Sequence, residues 1–476
     1  MPGSFTTDQR ADAAADQGID SATQAVPEAA RATRGSLTMA WWGVCSALLY
    51  IFLAATLAIA YGTVNTLIAM ALTIVTYGLI NGVLARSAIG NGLSVSLFSR
   101  ILFGRVGALL ATAIFFLTAI YYAVFEGSVI AVAASQVVGG LSYGWACVIV
   151  VLLAVPMVFG SVQKFLDKLN GLLLPFYVLG LVAAVVATVA TYGYSNAWLT
   201  YTPAGGAPAD GWFSAYVAYM GVWVLMMFTV DYARFGRRAD VRYHSRVNFG
   251  IPFYLMTFGV NGLVGIFLVT SGAVATVSET AVVDQLITVL GGVMALLFIW
   301  VTQTRINTAN FYLATVNMQA FFGKLGLHLR KWIWAIVVGV VVLVMMQATD
   351  VFSYILAALT YQGIFVTAWV GIALTHVLSG GYRRMFGDAV HYHFDEVPAV
   401  NPAGLTAWFV AAGTGLTMTL TGVGAAVAPV VTVLLSVAIY AGMLRIARPT
   451  WYATGPVGAS AGPRTGIGTP TGDPRP

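Results

Sequence analysis

The chain has 476 residues, of which 59% are hydrophobic and 8% are charged, and its mean hydropathy is +0.85. A water-soluble domain of this size cannot cover its surface with so few charged side chains, so the composition excludes a soluble protein. The formal net charge of +6 does not indicate a nucleic-acid partner, because the cations follow a membrane topology.

The two ends of the chain differ in composition from the segment between them. Residues 1–35 are rich in Ala, Asp and Thr and lack the apolar stretch of a signal peptide, so we expect a disordered cytoplasmic tail. Residues 450–476 are dense in Gly, Pro and Thr, and we expect a second disordered cytoplasmic tail there. Residues 36–449 are predicted to form a membrane domain.

Long apolar windows fill this membrane domain. A membrane-spanning helix needs roughly 20 apolar residues, and the windows predict an all-α integral membrane protein with about twelve transmembrane helices. The third, eighth and tenth windows exceed one bilayer thickness, so they should tilt or extend beyond it. The windows, called spans one to twelve below, are 39–61, 64–85, 106–135, 142–159, 168–191, 211–231, 250–272, 282–318, 331–348, 350–377, 402–421 and 423–445.

The Lys and Arg residues indicate how these spans are oriented. With a cytoplasmic N-terminus, all 23 of them except Arg305 fall in cytoplasmic segments, which is the positive-inside pattern. The sequence therefore predicts a multi-pass protein of the plasma membrane, surrounded by lipid, with both termini in the cytoplasm.

Two ionisable residues lie far from any span end, Glu126 in span three and Arg305 in span eight. Placing a charge inside a bilayer costs at least about 2.5 to 3.5 kcal/mol, so each of these residues should have a functional or structural role that offsets this cost. Tyr122 lies four residues before Glu126, which places a ring and a carboxylate on one helix face. This pair can stack a planar heterocycle and hydrogen-bond its edge. The alternative is that Glu126 pairs with Arg305 or with backbone and only holds the bundle together.

Span eight carries an unusually polar run between Trp300 and Asn310. Gln303, Asn307 and Asn310 form one amide-bearing stripe, and Arg305 projects about 200° away from Gln303. The run predicts a helix face that lines a cavity, although amide bonds between helices are an alternative.

Span six places a glycine beside large aromatic residues, in the order Tyr219, Met220, Gly221, Val222 and Trp223. Such a sequence suits a helix break at mid-membrane, and close helix packing is the alternative. Three carboxylates, Asp231, Asp284 and Asp350, lie at span ends, where we expect ordinary boundary roles. The sequence shows no metal-ligand spacing, phosphate loop or nucleophile elbow, so it predicts no enzyme, no cofactor and no metal site.

Several segments together resemble the nucleobase:cation symporters of the purine and cytosine permease branch. They are residues 36–38 before span one, the Gly-Leu, Arg, Phe-Gly and Gly pattern of residues 90–107, the aromatic and polar pair of span three, residues 231–235 and residues 307–312. The resemblance implies a LeuT-type fold of two inverted five-helix repeats plus two extra helices. It also implies that the solute is held at mid-membrane between spans one, three, six and eight.

The resemblance assigns binding roles to particular positions. Tyr122 matches an aromatic that stacks the base, and Glu126 matches the polar residue one turn later. Asn310 matches a base-binding asparagine of span eight, with Asn307 as a second candidate. In span six the matching positions are Gly221 and Val222, and Trp223 is a candidate for a second stacking ring.

One departure from the family concerns the coupling ion. Sodium-coupled relatives place a hydroxyl pair of span eight next to carbonyls of span one, and the matching positions here are Thr304 and Arg305. A guanidinium stays charged and cannot be released, which argues against sodium coupling. Our hypothesis is that Arg305 is a permanent strut between spans one and eight and that Glu126 carries a proton. Any unwound stretch of span one is expected near residues 53–56, which makes Ala54 a candidate for the coupling site.

The leading interpretation is a proton-coupled secondary transporter for a small nucleobase-like solute such as cytosine or a purine. An amino-acid, amine or ureide carrier of the same fold, for example for hydantoin or allantoin, is the alternative. A non-transporting receptor or scaffold is a third hypothesis. A receptor normally carries a folded soluble output domain, and both tails look too short and too polar to form the core of one.

Overall fold

A computed structural model of the chain describes residues 24–159, 166–272, 279–348 and 351–454. Within these ranges the protein is built of helices and contains no β-strand. The helices are α1 Arg34–Trp42, α2 Leu48–Tyr61, α3 Thr63–Asn91, α4 Val95–Val137, α5 Tyr143–Met157, α6 Asp167–Tyr192, α7 Gly211–Met220, α8 Val224–Ala233, α9 Arg238–Ser271, α10 Glu279–Leu290, α11 Gly292–Lys324, α12 Lys331–Ala348, α13 Val351–Ser379, α14 Gly381–Phe386, α15 Pro402–Thr421 and α16 Ala428–Ile446.

Every predicted span corresponds to at least one of these helices. Among the described residues, 8 helices are long and apolar enough to cross a membrane, and the number rises to 10 if each of two bent pairs counts as one span. The two remaining windows hold α5, which is apolar but has only 15 residues, and α11, which carries the polar run of span eight. The prediction of an all-α membrane protein with about twelve spans is confirmed.

The bent pairs are spans one and six. In span one, α1 and α2 meet at an angle of 40° on either side of a short turn, Val44–Ser46. In span six, α7 and α8 meet at 43°, with the break at Gly221 that the sequence predicted. Irregular backbone at membrane depth is tolerated only where protein buries it or where it lines a cavity. The two breaks therefore indicate where a cavity should be sought.

The position of the break in span one corrects the sequence prediction. The helix α2 runs without interruption from Leu48 to Tyr61, so residues 53–56 are helical and Ala54 is a fully buried part of it. The expectation of an unwound stretch there is wrong. The helix is interrupted earlier because Ala47 adopts an extended ψ of 130°. Close packing also fixes this point, since a Cβ added to Gly43 would lie 2.6 Å from the Asn170 side chain.

Glycines interrupt two of the long helical stretches. Window 282–318 is not one tilted helix, because α10 and α11 are separated at Gly291, whose φ is +78°. In α4, Gly104 has a φ of +82° and separates a first segment, 95–103, from span three proper. A positive φ of this kind is readily adopted only by glycine. The extra length of window 282–318 therefore reflects two separate helices, whereas window 106–135 lies within one uninterrupted segment of α4.

Parts of the two expected tails pack against the membrane domain. The Val26 amide donates to the Gly92 carbonyl at 3.0 Å, and the Ala32 amide donates to the Phe235 carbonyl at 2.8 Å. At the other end, Tyr452 is buried and its hydroxyl lies 3.2 Å from that of Tyr440. The structure differs from the expectation here because main-chain groups and rings find partners on the domain. Residues 1–23, 455–476 and Asp350 lie outside the described residues.

Candidate solute-binding site

A cavity with an empty volume of about 260 Å³ lies at the two helix breaks. The beginnings of α2 and α8 form part of its wall, and α4 and α11, which pack along each other, form the rest. Four of the predicted binding residues line it: Tyr122, Glu126, Val222 and Asn310. Seven residues that the sequence did not single out complete the wall: Ala47, Leu49, Tyr50, Val224, Leu225, Phe228 and Ile306.

Glu126 is the only carboxylate on this wall, and it is 1% exposed. Its Oε2 accepts a hydrogen bond from Nε2 of Gln303, one helix across. None of the ion pairs among the described residues includes Glu126 or Arg305, so the alternative in which these two charges pair is not what the structure shows. The Glu126 side chain is therefore held by a neutral amide, and the residue lines the cavity.

Three aromatic rings also line the cavity. Tyr122 lies on the same wall as Glu126 and is 5% exposed, and its hydroxyl accepts a hydrogen bond from Nε2 of Gln362 at 3.1 Å. Tyr50 and Phe228 add two further rings. The combination of flat apolar faces with one carboxylate and one amide suits a planar heterocycle with hydrogen-bonding edges.

The two asparagines of span eight lie in different places. Asn310 lines the central cavity, and its Nδ2 donates to Oδ1 of Asn307 at 3.3 Å. Asn307 lines a second cavity of about 370 Å³ between α4, α5 and α11, and so does Thr304. Asn307 therefore supports Asn310 and does not line the central cavity.

Of the three span-six candidates, only Val222 lines the cavity. Gly221 provides the backbone break, and its carbonyl is 3.5 Å from Nε2 of Gln362. Trp223 is not part of the cavity wall. The centre of its ring lies 6.5 Å from that of the Tyr77 ring, and the two rings pack edge to face. The structure thus offers no support for a stacking role of Trp223.

Arg305 lies at the break of span one. It is fully buried, its Nη2 donates to the Trp42 carbonyl at 2.8 Å, and its guanidinium is 5.1 Å from the centre of the Tyr177 ring. Trp42 ends α1, so this carbonyl is one that the helix itself leaves without a donor. A second polar side chain stabilises the same turn, because Nδ2 of Asn261 donates to the Cys45 carbonyl at 2.7 Å.

Solved structures with the same architecture are known, although protein-family models and curated sequences give no match. Mhp1, a nucleobase-cation-symport-1 family transporter, in a closed conformation with bromovinylhydantoin bound, has a TM-score of 0.71 and 17% identity, covering 91% of this chain and 97% of that one. Its inward-facing conformation gives 0.71 and 16% identity, covering 89% and 93%. A variant of the Eremococcus coleocola manganese transporter gives 0.51 and 15% identity, covering 90% and 98%.

This chain has the fold of Mhp1. The LeuT-type architecture that the family resemblance implied is confirmed, and the three structures named above are all of transporters. At these identities the likeness concerns the fold. The residues that distinguish one solute from another must be read from this chain itself.

Two residues in this Mhp1-like fold have larger roles than the sequence suggested. Gln303 was part of the predicted amide stripe but had no assigned role, and it contacts both Glu126 and the start of α2. Asp231 was expected to be an ordinary boundary residue. It is fully buried and accepts from the Val95 amide at 2.7 Å and from Nδ2 of Asn317 at 2.9 Å. It therefore joins the end of α8 to α4 and α11.

Proposed function

We propose that this protein is a secondary transporter that imports a planar, nucleobase-like solute across the plasma membrane by alternating access, with both termini in the cytoplasm. One observation carries the proposal. The ring and carboxylate of Tyr122 and Glu126 line a cavity at the breaks of spans one and six, and Asn310 lines it from span eight. Discontinuous helices around a mid-membrane site are typical of transporters that rock one repeat against the other.

The solute class follows from the groups on the wall. An ionised carboxylate accepts two adjacent N–H donors, and an amide offers both donor and acceptor, so Glu126 and Asn310 together fit the edge of cytosine or a purine. A hydantoin or a related ureide is the second candidate, because it presents a similar flat edge and because Mhp1 has been solved with bromovinylhydantoin bound.

We further propose that transport is coupled to protons and independent of sodium. The position of Arg305 supports this, since its guanidinium donates to the Trp42 carbonyl at the break of span one, where sodium-coupled relatives have their cation site. A fixed positive charge there removes the need for a metal ion. Glu126, buried without an ion-pair partner among the described residues, is the group that can take up and release a proton with the solute.

The transport proposal is tested in vesicles containing the purified protein. We expect accumulation of labelled cytosine, adenine or hydantoin under an inward proton gradient, with the same rate in sodium and potassium buffers. Glu126→Gln should abolish the response to the proton gradient, because the amide cannot titrate. Glu396→Gln makes the same chemical change at a partly exposed side chain far from the cavity and should behave as wild type.

Strict sodium dependence, or full proton-driven uptake by the Glu126→Gln variant, would contradict the coupling scheme. Competition by amino acids or amines, rather than by nucleobases, would favour the carrier of another solute class. Vesicles that accumulate no solute would favour a receptor or scaffold. A thermal-shift screen of nucleobases, hydantoins and amino acids identifies the ligand independently, since a compound that binds the folded protein stabilises it by mass action.

A further inference from the structure

Gln303 connects the proposed solute site to the break in span one. Its Oε1 accepts a hydrogen bond from the Leu48 amide at 3.1 Å, and its Nε2 donates to Oε2 of Glu126. The side chains of Gln303 and Glu126 are both buried. One amide therefore bridges the first residue of α2 and the carboxylate of α4.

The bond to Leu48 replaces a missing helix cap. The first amides of a helix have no acceptor within the helix, and a side chain of the preceding residue commonly supplies one. Here the preceding residue is Ala47, which makes no such bond. Gln303 supplies the acceptor from another helix, so the start of α2 depends on the orientation of a residue in α11.

The orientation of this amide is determined by its partners. The Leu48 amide is only a donor, so Oε1 of Gln303 must face it and Nε2 must face Glu126. An ionised carboxylate is the better acceptor, because a hydrogen bond to a charged group is roughly twice as strong as one between neutral groups. Adding a proton to Glu126 therefore weakens this bond. Nε2 of Gln303 keeps a longer bond to the Glu126 main-chain carbonyl oxygen, at 3.4 Å, so protonation loosens the amide that caps α2.

We infer that Gln303 is a positioning residue that couples the protonation of Glu126 to the conformation of span one. The inference rests on the proposed transport function, which makes a change in span one part of the transport cycle. By linkage the coupling is reciprocal, so a change in the bend of span one also changes the interaction of Gln303 with Glu126. Solute that binds Glu126 acts on the same bridge.

Few other titratable groups face this bridge. The residues that line the cavity include two phenols, Tyr50 from α2 and Tyr122 from α4, while α8 presents only apolar side chains to it. Arg305 projects from another face of α11 and contacts Trp42 and Tyr177. Among these groups, Glu126 is the carboxylate, and it is the one in direct hydrogen-bond contact with Gln303.

The chain provides its own reporter for the experiment. Cys45 is buried in the turn between α1 and α2, and the second cysteine, Cys147, is buried in α5. In a Cys147→Ser background, the rate at which a maleimide labels Cys45 in the folded protein reports opening of the break. Each rate is divided by that of the unfolded protein in the same buffer, which removes the effect of pH on the thiol itself.

We expect labelling of Cys45 in the Cys147→Ser protein to be at least about threefold faster in mildly acidic than in mildly alkaline buffer, because protonation weakens the bridge. Gln303→Leu should label at the fast rate in both buffers. Thr315→Val removes another buried polar group of α11 and should keep the pH dependence. Gln303→Leu with an unchanged pH dependence overturns the inference.

A double variant keeps the test decisive if Gln303→Leu does not fold. In Glu126→Gln combined with Gln303→Glu, the amide and the carboxylate exchange places, and the carboxylate can still accept from Leu48. We expect the pH dependence of labelling to return, whereas Glu126→Gln alone should abolish it. A pH dependence that survives in Glu126→Gln alone overturns the inference. The assay requires no solute, so its result is separate from whether the protein transports a nucleobase.

Discussion

Tyr122 and Asn310 show how far individual side chains could be assigned from spacing. Tyr122 and Glu126 were predicted together because four residues separate them on one helix, and both line the cavity. Asn307 and Asn310 could not be distinguished in this way, because both belong to the same polar stripe. Their different positions depend on how α4 and α5 pack against α11, which is not a local property of the sequence.

The stacking role of Tyr122 predicts a specific pattern of affinities. Stacking of a base on an aromatic side chain contributes about 1 to 3 kcal/mol, so Tyr122→Ala should weaken binding of the solute by about 5- to 150-fold. Tyr122→Phe keeps the ring and loses only the bond to Gln362, so its affinity should change much less. Titration calorimetry on the purified variants measures both.

Trp223→Phe is the matched control for this series. Because Trp223 contacts Tyr77 outside the cavity, its substitution should leave the dissociation constant close to that of wild type. A large loss of affinity in Trp223→Phe together with normal binding by Tyr122→Ala would show that the wrong ring was assigned to stacking.

At the scale of whole helices, the sequence located most elements but misplaced the break in span one. Hydrophobic windows are a local signal, and each of them contains a helix. The break at Val44–Ser46 instead depends on partners from distant parts of the chain, namely Arg305, Asn261 and Gln303. Gly43, the residue just before this break, was the one local sign of the break in the sequence. In span six, by contrast, the break falls at a glycine that is visible in the sequence.

The break before span three provides a prediction at this scale. Gly104 has φ and ψ of 82° and 177°, a backbone conformation that is essentially restricted to glycine and costs other residues about 1 to 3 kcal/mol. A Cβ at this position would also lie 2.7 Å from the Ala399 carbonyl oxygen. Gly104→Ala should therefore lower the free energy of unfolding by at least this amount, measured as a lower Tm in detergent.

Gly90→Ala is the control for Gly104→Ala. Gly90 lies within α3, and a Cβ added there meets nothing within 4 Å, so alanine should be neutral or slightly stabilising. Equal Tm values for the two variants would contradict the role assigned to Gly104.

For the molecule as a whole, pH should affect stability through the C-terminal end of α11. Lys324, beyond predicted span eight, donates to Oγ of Ser96 at 3.0 Å. Burial, and then the charge of Arg100, lower the pKa of Lys324 from its usual 10.5 to about 7. Between these values the unfolded chain binds more protons than the folded one, so the stability contributed by this site rises with pH.

We expect the Tm to increase from neutral to mildly alkaline buffer, and Lys324→Gln to reduce that increase because it removes the titrating amine. Lys168→Gln removes an exposed lysine and should leave the increase as it is in wild type. An identical increase in all three proteins would show that Lys324 is not the group responsible. The measurement is thermal denaturation of the three proteins in detergent, in neutral and in mildly alkaline buffer.

Fold class was the most predictable property of the whole molecule, because hydrophobicity acts along the entire chain. The orientation inferred from the charge asymmetry stays a prediction. The packing of the first described residues was not predictable in this way. Residues 24–33 have the composition of a polar tail, yet Arg31 is 5% exposed and its Nη1 donates to the Gly236 carbonyl at 2.9 Å. Main-chain carbonyls at the ends of other helices provide partners that composition does not reveal.

This N-terminal segment has a consequence for how α1 can move relative to α8. It pairs with the end of α3 through Val26 and Gly92, and with the end of α8 through Ala32 and Phe235. Any movement that swings α1 away from α8 must first detach this seal, and each hydrogen bond lost costs about 0.5 to 1.5 kcal/mol net. Under the proposed transport function, movement of α1 therefore requires that these hydrogen bonds break first, and their strength sets the free energy that solute binding has to supply.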